Sequence, residues 1–314
     1  MTGLLWLLIV LFLILDVILL PPMIARARRL PMDETARADA PGRFATLTNG
    51  VTHYQWFGPQ SGEIVVLVHG LSAPSFIFAP LIPFLTEAGY RVLTYDHYGR
   101  GWSDRPRNRQ TPHFFAAHLN EILDDQMIRK PVHLLGYSMG GTVVPAFALE
   151  HPARVKSMIL LAAAGFQHPR KGVMGFVTRT PLAGDWIMSV LGGARLRNLA
   201  RLEEGRNHNI PDLPQRMVRE TRYRGYTRSV LSSMRHILST PFGPLHQKLA
   251  ARKIPTLAIW AREDETIPLA SADRLREANP DVRTVILDDA DHGLAYMIPE
   301  RVAEPTLAFL AERT

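Results

Sequence analysis

Five consecutive apolar residues, Ile64-Val-Val-Leu-Val68, are too few for a buried helix and too uniformly apolar for a strand with one wet face. Such a run requires a strand covered on both sides. Residues 91–95, 132–135, 155–161, 256–260 and 283–287 read as further strands. Helical stretches at 76–88, 114–128, 139–150, 269–278 and 301–312 fall between and after them. In the second of these, Glu121, Asp124 and Asp125 mark the wet side. Strand and helix in alternation argue for an α/β fold with a mainly parallel central sheet flanked by helices. Ahead of the series, residues 44–47 and 51–57 flank Thr48-Asn49-Gly50, which reads as a hairpin turn.

The rhythm breaks at residues 166–245. That stretch is rich in Arg, Pro and Gly, has helical patches and shows no strand run. It reads as a helical cap inserted between two parts of a core, residues 43–165 and 246–314. A chain of 314 residues suits one such domain with an insertion. Between Gly165 and Leu245 there are 13 basic and 5 acidic residues, so the net charge of +7 resides in the cap. A basic face of that kind suits anionic lipid, nucleic acid or an anionic substrate, or is simply solvated. No nucleic-acid-binding signature accompanies it. The chain has no cysteine, which excludes disulfides, a thiol nucleophile and thiolate metal sites.

Residues 3–20 are apolar except for Asp16. As a helix they span about 27 Å, enough for a bilayer core. Pro21 and Pro22 are expected to end the helix, and Arg26, Arg28 and Arg29 follow. No basic residue precedes Trp6, as a cleaved signal peptide would require, and only Asp16 interrupts the apolar surface that an interfacial helix would divide. Residues 1–30 therefore read as a single membrane-spanning anchor. The arginines after it place the remaining chain on the cytoplasmic side. Residues 31–42 read as a linker.

The chemistry gathers at strand ends. Gly136-Tyr137-Ser138-Met139-Gly140 matches G-x-S-x-G and lies between a strand and a helix, the context the motif needs. Ser138 is then presented at a helix N-terminus, where backbone N–H groups favour negative charge. A serine hydroxyl attacks only when a base removes its proton. His292, in Asp291-His292-Gly293 after strand 283–287, is the expected base. Asp264, after strand 256–260, is its expected orienting acid, with Glu263, Glu265, Asp288, Asp289 and Asp291 as rivals. The order Ser, Asp, His is the one this architecture uses. Oxyanion donors are expected from the N–H of Met139 and from the loop His69-Gly70-Leu71-Ser72, with Leu71 first and Ser72 next. Each such donor contributes about 3 kcal/mol in the transition state.

His69-Gly70, the segment from Asp96 to Ser103, Gly136 to Gly141, the Asp264 segment and Asp291-His292-Gly293 together resemble the α/β-hydrolase superfamily over residues 43–314. The resemblance implies a Ser-Asp-His triad, a variable cap over the site and no cofactor. It points to monoacylglycerol lipases and carboxylesterases. Epoxide hydrolases and haloalkane dehalogenases carry aspartate where this chain has Ser138. Carbon–carbon bond hydrolases, also similar, usually carry asparagine where it has Tyr137, and a carbon–carbon bond hydrolase stays an alternative to the esterase. The Asp96–Ser103 segment is expected to shape a tight loop rather than to react.

No phosphate-binding G-x-x-x-x-G-K-[ST] and no G-x-G-x-x-G after a strand occur. The cap histidines His168, His208 and His236 lack metal-ligand spacing and read as surface residues. Two functions follow. One is a serine hydrolase of carboxylic esters, drawing monoacylglycerol- or lysophospholipid-like substrates from the membrane. Phe166, Val173, Met174, Phe176, Val177, Trp186, Ile187, Met188 and Leu191 then either line an acyl tunnel or form the cap's own core. The other is a ligand-binding protein on the same fold, without turnover.

Overall fold

The computed structural model describes residues 2–166 and 172–313. Eight strands form one sheet: β1 (Arg43–Leu47), β2 (Gly50–Phe57), β3 (Ile64–Val68), β4 (Arg91–Tyr95), β5 (Val132–Tyr137), β6 (Val155–Leu161), β7 (Thr256–Ala261) and β8 (Arg283–Leu287). Their order is β1-β2-β4-β3-β5-β6-β7-β8. β1, β2 and β4 pair antiparallel, and every pairing from β4 to β8 is parallel. The connection from β2 passes β4 to reach β3 and that from β4 passes β3 to reach β5, which places β3 and β5 side by side at the centre.

Strand pleating explains the apolar runs. Val66, Val68, Leu134 and Leu160 enter one buried cluster, while Val65, Leu67, Leu135 and Leu161 enter another across the sheet. Successive side chains point to opposite faces, so a strand covered on both sides has no polar position to spare.

Two expected helices differ from the sequence reading. Residues 76–88 form a 3₁₀ turn (Ser75–Phe78) and a separate helix (Ile82–Glu87). Pro80 has no N–H to continue the first, and Pro83 opens the second within its first turn. The N-terminal helix is not ended by Pro21 and Pro22 but runs Thr2–Ala27. Pro22 cannot donate to the Ile18 carbonyl four residues back. The Trp186 indole of the insertion donates to that oxygen instead, at 2.8 Å. Arg29 extends the contact, donating to Ser189 O at 2.8 Å and Thr227 Oγ1 at 3.2 Å. The segment after it is also held, because Arg37 donates to Trp102 O and pairs with Asp104.

Between β6 and β7 lie the helices Gly172–Arg179, Ala183–Val190, Gly192–Arg201, Leu213–Glu220 and Tyr226–Arg235. Val177, Met188, Tyr226, Val230, Leu231 and Met234 form their own buried cluster. Polar ties fasten it to the sheet side. Buried Glu220 accepts from the Gly101 N–H and pairs with Arg105, and Tyr226 donates to Ser72 O. The next helix, Gly243–Ala250, spans residue 245 and buries Leu249 in the cluster beneath the sheet.

Candidate active site

Ser138 follows β5 in a left-handed conformation, φ +54°. This strained turn lifts the hydroxyl clear of both strand and helix. It exists because its flanking residues are small. A Cβ on Gly136 would overlap the Gly140 carbonyl, and one on Gly140 would overlap the Val68 carbonyl at the end of β3. The Ser138 N–H is held by Leu161 O at 2.9 Å, so the turn is anchored to β6.

His292 and Asp264 meet Ser138 at the same sheet edge. The His292 Nε2 lies 3.0 Å from Ser138 Oγ, and its Nδ1 lies 2.7 Å from Asp264 Oδ2. A carboxylate only accepts, so Nδ1 carries the proton and Nε2 presents its lone pair to the serine hydroxyl. The Asp264 carboxylate is buried and its other oxygen accepts from the N–H groups of Thr266, at 2.8 Å, and Ile267, at 2.7 Å. The rival acids are engaged elsewhere or lie apart: Glu263 accepts from the Ala290 N–H, Asp288 pairs with Arg262 and Asp291 with Arg206. This three-residue chain is the arrangement that lets a hydroxyl lose its proton to an imidazole whose resulting charge is stabilised by a carboxylate.

Among the described residues no protein hydrogen bond takes the N–H of Leu71 or Met139. Both stand where the sequence pattern expects oxyanion donors. The Leu71 N–H belongs to the peptide that follows Gly70, and His69 controls that peptide. The His97 N–H donates to His69 Nε2 at 2.9 Å, so Nδ1 carries the proton and donates to Gly70 O, also at 2.9 Å. Burial holds His69 well below its ordinary value, at about 4, and the ring stays neutral as this tautomer requires. Arg100 fixes the other side of the loop. Its Nε donates to Leu71 O at 2.9 Å, and its Nη2 reaches Ser233 Oγ at 2.8 Å. Gly70 lets the loop approach closely: a Cβ there would lie 3.2 Å from that of Ser138, a crowded contact.

The Asp96–Ser103 segment shapes its loop through hydrogen bonds. Asp96 accepts from His53 Nδ1, from the N–H and hydroxyl of Ser75 and from the Trp102 N–H. Within that segment Arg100 was not singled out by the sequence, because its buried partners come from distant segments. In the sequence Tyr137 stands out only as a departure from a family pattern. Its hydroxyl donates to His292 O at 2.6 Å, and its ring lies 5.3 Å from the imidazole. It braces the residue that faces Ser138.

The nine apolar residues named for a tunnel divide four ways. Val177 and Met188 belong to the insertion's own cluster, with Met174 and Ile187 packed on it. Phe166 joins the cluster under the sheet. Val173, Phe176 and Leu191 are exposed, and Trp186 meets the N-terminal helix. His208 and His236 are half-buried rather than at the surface, and His168 lies outside the described residues.

The chain belongs to the family described as alpha/beta hydrolase fold, which matches residues 63–296. It is 26% identical over 283 residues to a Caulobacter protein named as a carbamate hydrolase, RutD, covering 84% of this chain and 96% of that one. It is 28% identical over 266 residues to the 2-hydroxy-6-oxononadienedioate/2-hydroxy-6-oxononatrienedioate hydrolase of Escherichia coli K12, covering 80% of this chain and 88% of the relative. A solved hydrolase from Pseudomonas aeruginosa superposes with a TM-score of 0.69 at 21% identity, over 87% of this chain and 99% of that one. The chain is thus an alpha/beta hydrolase with a mostly parallel eight-stranded sheet.

Proposed function

We propose that this chain is a serine hydrolase of carboxylic esters, with Ser138 as nucleophile, His292 as base and Asp264 as the orienting acid. The observation that carries the reading is the continuous hydrogen-bonded chain from Ser138 Oγ through His292 to Asp264. Ser138 Oγ bonds to the ester carbonyl carbon while its proton passes to His292 Nε2. The carbonyl oxygen takes the electron pair and is held by the N–H groups of Leu71 and Met139. The intermediate collapses, the C–O bond to the alcohol breaks, and the alcohol leaves with the proton from His292. Water then attacks the acyl-serine, gives its proton to His292, and Ser138 departs reprotonated. No cofactor enters this scheme.

Residues 1–30 act as the membrane anchor, 31–42 as a linker, and 166–245 as a cap over a core formed by 43–165 and 246–314. The helix Thr2–Ala27 is long and apolar enough to cross a bilayer and is exposed along its apolar length. Its tie to Trp186 at Ile18 fixes the insertion beside the point where the helix would leave the membrane. That placement favours substrates taken from the bilayer, monoacylglycerol- or lysophospholipid-like esters. The arginines after the helix favour a cytoplasmic hydrolase domain.

A second reading is a carbon–carbon bond hydrolase, favoured by the relative named for 2-hydroxy-6-oxo dienedioate substrates. One panel separates them. The full chain is assayed on glycerol and nitrophenyl esters of short to long acyl chains and on a 2-hydroxy-6-oxo dienedioate, with Ser138→Ala as control. Ester turnover that rises with chain length and vanishes in S138A supports the lipid esterase. Turnover confined to the dienedioate overturns it in favour of the second reading.

A further inference from the structure

Where the N-terminal helix meets the insertion, a cavity of about 420 Å³ is lined by six arginines, Arg26, Arg29, Arg105, Arg107, Arg224 and Arg228. They come from three separate segments: the foot of the helix, the loop after β4, and the insertion. One carboxylate, Asp185, shares the lining, and Arg235 already binds both of its oxygens at 2.8 Å. The volume falls in the range of small-molecule sites, roughly 300–1,000 Å³.

Four of the arginines are tied down by hydrogen bonds. Arg29 is held by Ser189 O and Thr227 Oγ1, Arg105 by Ser103 O and Gly101 O, and Arg228 by Arg105 O and Pro106 O. Arg224 donates to Arg29 O, so the helix foot and the insertion close on each other around the cavity. Like charges are crowded there. Burial first, then Arg107 and Arg26, lower the Arg228 guanidinium from its ordinary value. Arg105 is paired with Glu220 and Asp185 with Arg235, so among the described residues the remaining guanidiniums of the lining leave a site complementary to an anion, and the guanidinium fork matches a phosphate ester bidentately.

The position narrows the source of that anion. Leu20, Met23 and Ile24 on the same helix are exposed and apolar. From Leu20 to Arg26 is about 9 Å of helix, close to the depth of the headgroup layer. Met188 and Leu231 line the cavity beside its charges. We infer that the six-arginine cavity binds the phosphate of an anionic phospholipid headgroup, whose acyl chains lie along the N-terminal helix. This rests on the reading of residues 1–30 as a membrane anchor. A lipid held there would orient the hydrolase domain on the membrane, with basic side chains on the phosphate layer.

The test uses the full chain in an uncharged detergent, with lipid retention read by native mass spectrometry. The probes are phosphatidylglycerol, phosphatidylcholine and inorganic phosphate. The expected result is one phosphatidylglycerol retained per chain, about ten-fold or more over phosphatidylcholine. The double variant Arg26→Gln with Arg107→Gln, two exposed side chains that form no ion pair among the described residues, should lose that preference. Equal retention of both lipids, or an unchanged preference in the variant, would overturn the proposal. Inorganic phosphate binding as tightly as phosphatidylglycerol would overturn the lipid source. Flotation with phosphatidylcholine vesicles tests the anchor separately. A chain that floats but shows no preference contradicts the arginine site alone, and one that fails to float contradicts the anchor.

Discussion

Ser138 is held in a backbone conformation that side chains rarely adopt, and its neighbours exist to permit it. Gly140 is the clearest case, because its Cα faces the Val68 carbonyl with no room for a Cβ. Gly140→Ala should therefore destabilise the protein by about 3 kcal/mol, read as a fall in thermal midpoint, through overpacking against rigid backbone. Tyr137 makes a different kind of prediction. Removing its hydroxyl frees the His292 carbonyl without touching the Ser138–His292 contact. Tyr137→Phe should lower kcat by about five-fold, equivalent to one hydrogen bond of about 1 kcal/mol, and leave KM near the parent value. A change in KM alone would mean the tyrosine contacts substrate instead. Ser138, His292 and Asp264, which the structure brings into contact, were legible in the sequence because each carries a local signature: a serine between glycines after a strand, a histidine before glycine, an aspartate after the penultimate strand. His69 and Arg100 are different. Their roles come from hydrogen bonds to His97, Ser233 and Leu71, and no short pattern announces such partners.

At the scale of elements, the strands were the more legible. β3 and β6 fall on the ranges expected from their apolar runs, because a strand buried on both faces leaves little choice of boundary. Helices were less so, and the proline pair shows why. Pro21 and Pro22 stop an isolated helix by stranding carbonyls, yet the N-terminal helix continues where Trp186, 168 residues away, satisfies one of them. Local propensity does not contain that information. The contact makes a prediction. Trp186→Phe keeps an aromatic ring and removes the donor to the Ile18 carbonyl, a hydrogen bond of about 1 kcal/mol. Hydrogen exchange at residues 23–29 should rise relative to the sheet. Unchanged protection there would mean the helix holds its course without the indole.

At the scale of the whole molecule, buried neutral histidines link stability to pH. His246 packs its ring 5.3 Å from that of Phe166, and burial lowers its pKa from 6.5 to about 4. The unfolded chain takes up this proton first as pH falls. The stability tied to a neutral His246 is thus complete above pH 6.5 and is lost progressively towards pH 4, by roughly 1.4 kcal/mol per unit. His246→Leu should lose less stability over that window than the parent in denaturant titrations at pH 7 and 4.5. An identical loss in both would place the acid sensitivity elsewhere, in His69 or His118. The proposed activity stands on one hydrogen-bonded chain of three residues, Ser138, His292 and Asp264. The most direct measurement is covalent: the full protein is treated with a reactive phosphonate ester and the adduct is mapped by peptide mass spectrometry. The account predicts one adduct per chain, on Ser138, formed by the parent and lost in His292→Ala. An adduct on another residue, or ester hydrolysis that persists in Ser138→Ala, would contradict it.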